Sequence, residues 1–161
     1  MDHDQLYIAV RAALRAGEPP VWLADNVIPM DGVTPWGQDV IEVLIDPRPT
    51  ADGTSGDLYC LQVKPTGLLV SRKGTRTEPP MGATESWVSG ARAAVKVDPE
   101  AWVVEIAVPL DAFGPAARKN SIWGLNVTRL DARRGEYSSW SGARGFCYSP
   151  RALGNLFMLW Q

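Results

Sequence analysis

The feature that most constrains this chain is a period-two alternation of apolar side chains in short runs, each cut off by glycine or proline. In 101–109, Trp102, Val104, Ile106 and Val108 fall on one face of an extended segment, with Glu105 on the other. In 39–46 (DVIEVLID), Ile41, Val43 and Ile45 share one face, and Val40, Glu42 and Leu44 the other. Apolar residues on both faces mark a central strand. A helix would need its apolar positions three and four apart, so these segments cannot be amphipathic helices.

The rest of the chain repeats the pattern. Leu6 to Val10 (LYIAV) reads as an early strand, LYCLQVKP followed by a PTG turn and LLVSRK as a hairpin, and ARAAVKV, Asp98-Pro-Glu and AWVVEIAV as a second hairpin. WGLNVTRL, EYSSW and NLFMLW supply the closing strands. Fifteen glycines and thirteen prolines suit a chain that turns this often. Pro109 to Phe113 before Gly114 is a helical turn, and residues 11–16 are expected to add another. Residues 17–37 read as a long surface loop carrying Trp22 and Trp36, and 74–90 as a polar separator. The expected fold is all-β: an antiparallel β-sandwich, jelly-roll or immunoglobulin-like, of about eight to ten strands in one domain over 1–161.

Charge and composition remove several functions. With 16 basic and 18 acidic residues the net charge is −2, so no positive field gathers phosphates and nucleic acid is not an expected partner. No apolar run reaches the roughly 18 to 20 residues that cross a bilayer, and MDHDQLYIAV lacks the features of a signal peptide. His3 is the sole histidine and lies near the N-terminus, which argues against a Ser-His-Asp or histidine-metal site. Cys60 and Cys147 lack metal-site or redox spacing, and whether they pair is open from sequence.

Three segments together resemble the family 9 carbohydrate-binding modules: W-x-x-D-x-x-E-V-x-I-D from Trp36, WVVEIAVPLDAFG from Trp102 and WGLNVTRLDARRGEYSSW from Trp123. The likeness extends from LYIAV to SPRALGNLFML near the C-terminus. It implies a sandwich that holds sugar between two tryptophans, often beside bound calcium, in a module attached to a larger secreted or cell-envelope protein. By position, Trp36 and Trp140 resemble the slot walls and Glu42 the polar residue beneath them, with Gln62, Asn126 and Arg129 at floor positions. Gln62 stands where family members often carry arginine. Members usually carry further strands ahead of LYIAV, and an edge left uncovered there is expected to seek a second copy.

The chemistry suits that reading. A pyranose offers C–H faces to an aromatic plane and a hydroxyl rim to carboxylate, amide and guanidinium groups. A single-sugar slot of this kind is expected to bind in the micromolar range or weaker, about −6 to −8 kcal/mol. Trp102 and Trp123, inside alternating strands, read as core instead, while Trp36 and Trp140 have glycine, proline or serine neighbours. Trp22, Trp87 and Trp160 carry neither signature. Strict alternation puts Asn126 and Arg129 on opposite faces, with Arg129 preferred as the ligand. Asp25, Asp31, Asp39, Asp46 and Asp131 could supply calcium ligands but lack EF-hand spacing. Two other functions stay open: a protein-interaction sandwich without sugar binding, and, less favoured, a glycosidase built on Glu42 with a second carboxylate such as Glu105.

Overall fold

The computed structural model describes residues 4–23, 37–49, 57–75, 85–116, 121–143, 148 and 152–159. Ten strands lie among them: β1 (Gln5–Ala13), β2 (Val40–Asp46), β3 (Asp57–Val63), β4 (Leu69–Thr75), β5 (Glu85–Ser86), β6 (Arg92–Val97), β7 (Ala101–Pro109), β8 (Ser121–Asp131), β9 (Glu136–Ser139) and β10 (Gly154–Met158). All pairings are antiparallel. One sheet has the order β1-β7-β6, and the other runs β10-β8-β2-β3-β4-β5 with β9 also on β8. The two form a β-sandwich, and β2 is central to the larger sheet as its doubly apolar pattern requires.

The alternation read from sequence fills the space between the sheets. Ile41, Val43 and Ile45 of β2 join Tyr59, Leu61 and Val63 of β3 and Trp102, Val104, Ile106 and Val108 of β7 in one buried cluster with Trp123. Trp102 and Trp123 are fully buried, as expected of tryptophans inside alternating strands. The second hairpin is closed by Asp98, whose Oδ1 accepts from the backbone N–H groups of Glu100 (3.0 Å) and Ala101 (2.9 Å). In the first, Gly67 takes the left-handed conformation (φ 87°) in the turn from Lys64 to Leu68.

Two expectations need correction. Residues 11–16 form no helical turn: β1 runs on to Ala13, opposite Ala101, and Leu14 still donates its N–H to Glu100 (2.7 Å). Pairing with β7 along the whole length of β1 outweighs the helix preference of its alanines. The 74–90 segment is more than a separator, because it contributes β5 and sends Trp87 inward. Trp87 meets Tyr59 at 4.7 Å and Phe113 at 5.3 Å between ring centroids, and its indole N–H donates to the Ala112 carbonyl (3.3 Å). Phe113 reaches this cluster from a 3₁₀ turn at Leu110–Ala116, where a helical turn was expected, and also meets Trp123 at 5.1 Å.

Candidate functional site

The other face of the larger sheet, turned away from β1-β7-β6, carries polar side chains in register. Glu42 sits opposite Gln62 on one side and Thr128 on the other. Its Oε1 accepts from Gln62 Nε2 (2.8 Å) and Tyr148 Oη, and its Oε2 from Thr128 Oγ1 (2.9 Å) and Tyr137 Oη (2.6 Å). The carboxylate is 1 % exposed, and four donors offset the cost of burying its charge. Farther along β8, Asn126 Oδ1 accepts from Ser139 Oγ and the Ser141 N–H, both at 3.1 Å. Burial, then the nearby Glu42 charge, pushes both the Tyr148 phenol and the Cys60 thiol well above their ordinary values. Tyr148 therefore remains a donor to Glu42. Cys60 is a buried free thiol, and Cys147 lies outside the described residues.

A second constellation lies at the flank of the sandwich beside β1. Trp140 follows β9, fixed by its N–H donating to the Val127 carbonyl (2.8 Å), and is 62 % exposed. Its ring passes over Gly154, where an added Cβ would come within 2.9 Å of ring atom Cζ3. A groove of about 310 Å³ brings Trp140 together with Arg129, Ser138, Ser139 and residues 10–13 of β1. Arg129 crosses from β8 to the Ala13 carbonyl (2.7 Å) and pairs with Asp131 (3.4 Å) and Asp39 (3.9 Å). Arg134 clamps Asp131 (2.6 Å) and also pairs with Glu18. Burial raises the Asp39 carboxyl above its ordinary value. Burial also pushes Asp131 upward, but the hydrogen bond and charge of Arg134, with the charge of Arg129, outweigh it and hold that carboxyl low.

The predicted site residues thus divide. Glu42, Gln62 and Asn126 share the outer face of the larger sheet, buried, whereas Arg129 and Trp140 meet in the flank groove. Asn126 and Arg129 lie on opposite faces, as alternation without a bulge requires. Trp36 and Trp160 lie outside the described residues, and Trp22 is 46 % exposed. Sequence reasoning missed Tyr137 and Tyr148 as partners of Glu42. Tyr137 was accessible through the EYSS alternation, but Tyr148 follows an irregular stretch with no period to place it.

Two chemical alternatives meet specific obstacles. Glu105 faces outward from the smaller sheet and Glu42 outward from the larger, so the full sandwich separates them. Packed sheets lie about 10 Å apart before outward side chains are added, whereas glycosidase carboxylates stand about 5 to 9.5 Å apart. Among the described residues, no three Asp, Glu, His or Cys side chains gather as metal ligands. Asp39 and Asp131 are engaged by arginine, and Asp46 Oδ1 accepts from the Arg48 N–H (3.0 Å). Asp25 and Asp31 lie outside the described residues.

Residues 2–157 match the family described as Carbohydrate family 9 binding domain-like. The chain belongs to that family. Two solved structures share the fold of this family 9 domain. A protein provisionally described as carbohydrate-binding, from Bacteroides uniformis, aligns with a TM-score of 0.57 at 18 % identity over 95 % of this chain and 72 % of its own. A family 9 carbohydrate binding module from Caldicellulosiruptor kristjanssonii, solved with cellotriose, aligns with a TM-score of 0.57 at 15 % identity over 98 % of this chain and 71 % of its own. No curated protein matches. Among the described residues, no helix is long and apolar enough to cross a membrane.

Proposed function

We propose that this domain is a non-catalytic sugar-binding module of a larger, glycan-directed protein, working outside the cell or in its envelope. The observation that carries the reading is the Trp140 ring, 62 % exposed yet fixed at its backbone, in one groove with Arg129 and two serines. That combination offers a plane for a pyranose face and donors and acceptors for its hydroxyl rim. Trp36 serves as the second wall. Glu42, Gln62 and Asn126, on the opposite face of the larger sheet, act as a buried frame that holds β8 and β9, and through them Trp140, in place.

One observation favours a protein-interaction sandwich instead: Glu42, which the resemblance puts at the sugar, is buried and committed to four internal donors. Tryptophan fluorescence titrated with cello-oligosaccharides, with and without calcium, separates the readings. The sugar-binding reading expects a saturable change that Trp140→Ala and Trp36→Ala each abolish while circular dichroism stays native. No response to any mono- or oligosaccharide would transfer the weight to protein interaction.

A further inference from the structure

The outer face of the smaller sheet contains a hollow that sheet stability does not require. Two register rows cross it: Tyr7, Ala107 and Arg92 in one, and Ala9, Glu105 and Ala94 in the next. Tyr7, Arg92 and Glu105 are exposed, whereas Ile8, Ile106 and Ala93 between them point into the core. Alanine is depleted in strands and adds little to cross-strand pairing. Three alanines around Glu105 therefore give up stability, and a methyl stands on each side of its carboxylate, where a cationic neighbour would have strengthened the sheet. What the alanines leave is a hollow of about 480 Å³ bordered by Tyr7, Arg92 and Glu105. Its floor and walls come from the face of the sheet, and it shares no residue with the Trp140 groove.

We propose that this hollow is a second binding site, for an uncharged oligosaccharide. The proposal takes from the reading above only the class of ligand. Neighbouring strands lie about 4.8 Å apart, so Tyr7 and Arg92, two strands apart, stand about 10 Å from each other with only the Ala107 methyl between them. One pyranose fits there with a C–H face against the phenol ring at about 3.5 to 4 Å. Glu105, about 7 Å along the sheet, accepts from its hydroxyls or from those of the next sugar, and Arg92 donates to them. One cation and one anion border the hollow, so neither a polyanion nor a polycation finds a complementary field. A face three strands wide and nine residues long offers about 400 Å², roughly half of the 800 Å² that each partner brings to a stable protein interface. Area and charge balance thus favour a narrow neutral chain over a protein. With Trp140 at the flank and Tyr7 on this face, one module would hold two sugar segments at once and gain avidity on a branched or packed glycan.

Backbone amide chemical shifts of the Trp140→Ala chain, titrated with cellotriose, xylotriose and mannotriose to tens of millimolar, test this site apart from the flank groove. The expected result is a saturable shift of the Ala94, Glu105 and Ala107 amides with at least one of the three sugars. Adding Tyr7→Ala should weaken that binding at least tenfold in Kd. Adding Ala107→Arg, which fills the floor from the solvent side, should abolish it, with circular dichroism native in both chains. No saturable shift of these amides with any of the three sugars, or shifts that survive both substitutions, would overturn the proposal. Shifts of the same amides that grow with protein concentration in the absence of sugar would also overturn it, by giving the face to a second copy. The two sites fail separately. A fluorescence response that Trp140→Ala abolishes, without these shifts, keeps the flank groove and removes this site; the shifts without that response do the reverse.

Discussion

On one face of β2, Ile41, Val43 and Ile45 meet the apolar rows of β3 and β7; on the other, Glu42 meets Gln62, Thr128, Tyr137 and Tyr148. Ile41, Val43 and Ile45 are 0 % exposed and Glu42 is 1 % exposed, so water access does not distinguish the faces. What differs is how each tolerates loss. An apolar contact is non-directional and its removal leaves a cavity, whereas removing the acceptor from a buried polar cluster strands the donors that point at it. The inner face is thus governed by volume and the outer by hydrogen-bond arithmetic.

The sharpest way to break the inner face is Trp102→Ala, which should cost about 3 to 5 kcal/mol in denaturant unfolding. A loss below about 1 kcal/mol would mean that the ring is not the core filler its full burial implies. On the outer face, Glu42→Gln keeps the volume but turns an amide N–H toward donors, and should cost about 2 to 3 kcal/mol. A neutral result would show that the four donors find other partners.

Tyr148→Phe removes one donor to Glu42 and should cost about 1 to 2 kcal/mol at neutral pH. It also tests the pH behaviour of this face. The Tyr148 phenol is raised in the folded state above its ordinary 10.0, so its contribution is complete below that pH and is lost as pH rises through the folded value. The wild-type chain should therefore lose stability on the alkaline side and Tyr148→Phe should lose less, measured as unfolding midpoint against pH. Equal alkaline slopes would remove Tyr148 from the account.

The smallest stability effect is expected at Gly154→Ala, about 0.5 kcal/mol or less, because the new methyl meets the ring of an exposed side chain that can swing away. Displacing Trp140 should nevertheless weaken oligosaccharide binding severalfold in the fluorescence titration. Unchanged affinity would show that the ring position over Gly154 is irrelevant to sugar.

Much of the contrast between the two faces is legible in the sequence. Period two assigned the faces of β2, β3 and β7, the buried state of Trp102 and Trp123, and the opposition of Asn126 and Arg129. It failed where no period exists. The sequences around Trp87 and Tyr148 have no period, so the burial of these two rings depends on which strands pass beneath them. Residues 11–16 were misread because helix preference is local and pairing with β7 is not.

The sequence by itself determined which side chains share a face, because alternation is a property of extended backbone, and it carried the family likeness in the spacing of its tryptophans. Only the tertiary structure decided that β8 and β3 flank β2, and hence that Glu42 would be enclosed by donors from four segments. It alone put Trp140 and Arg129 at an open flank rather than above Glu42. Strand order depends on contacts between residues far apart in the chain, and no local pattern records them.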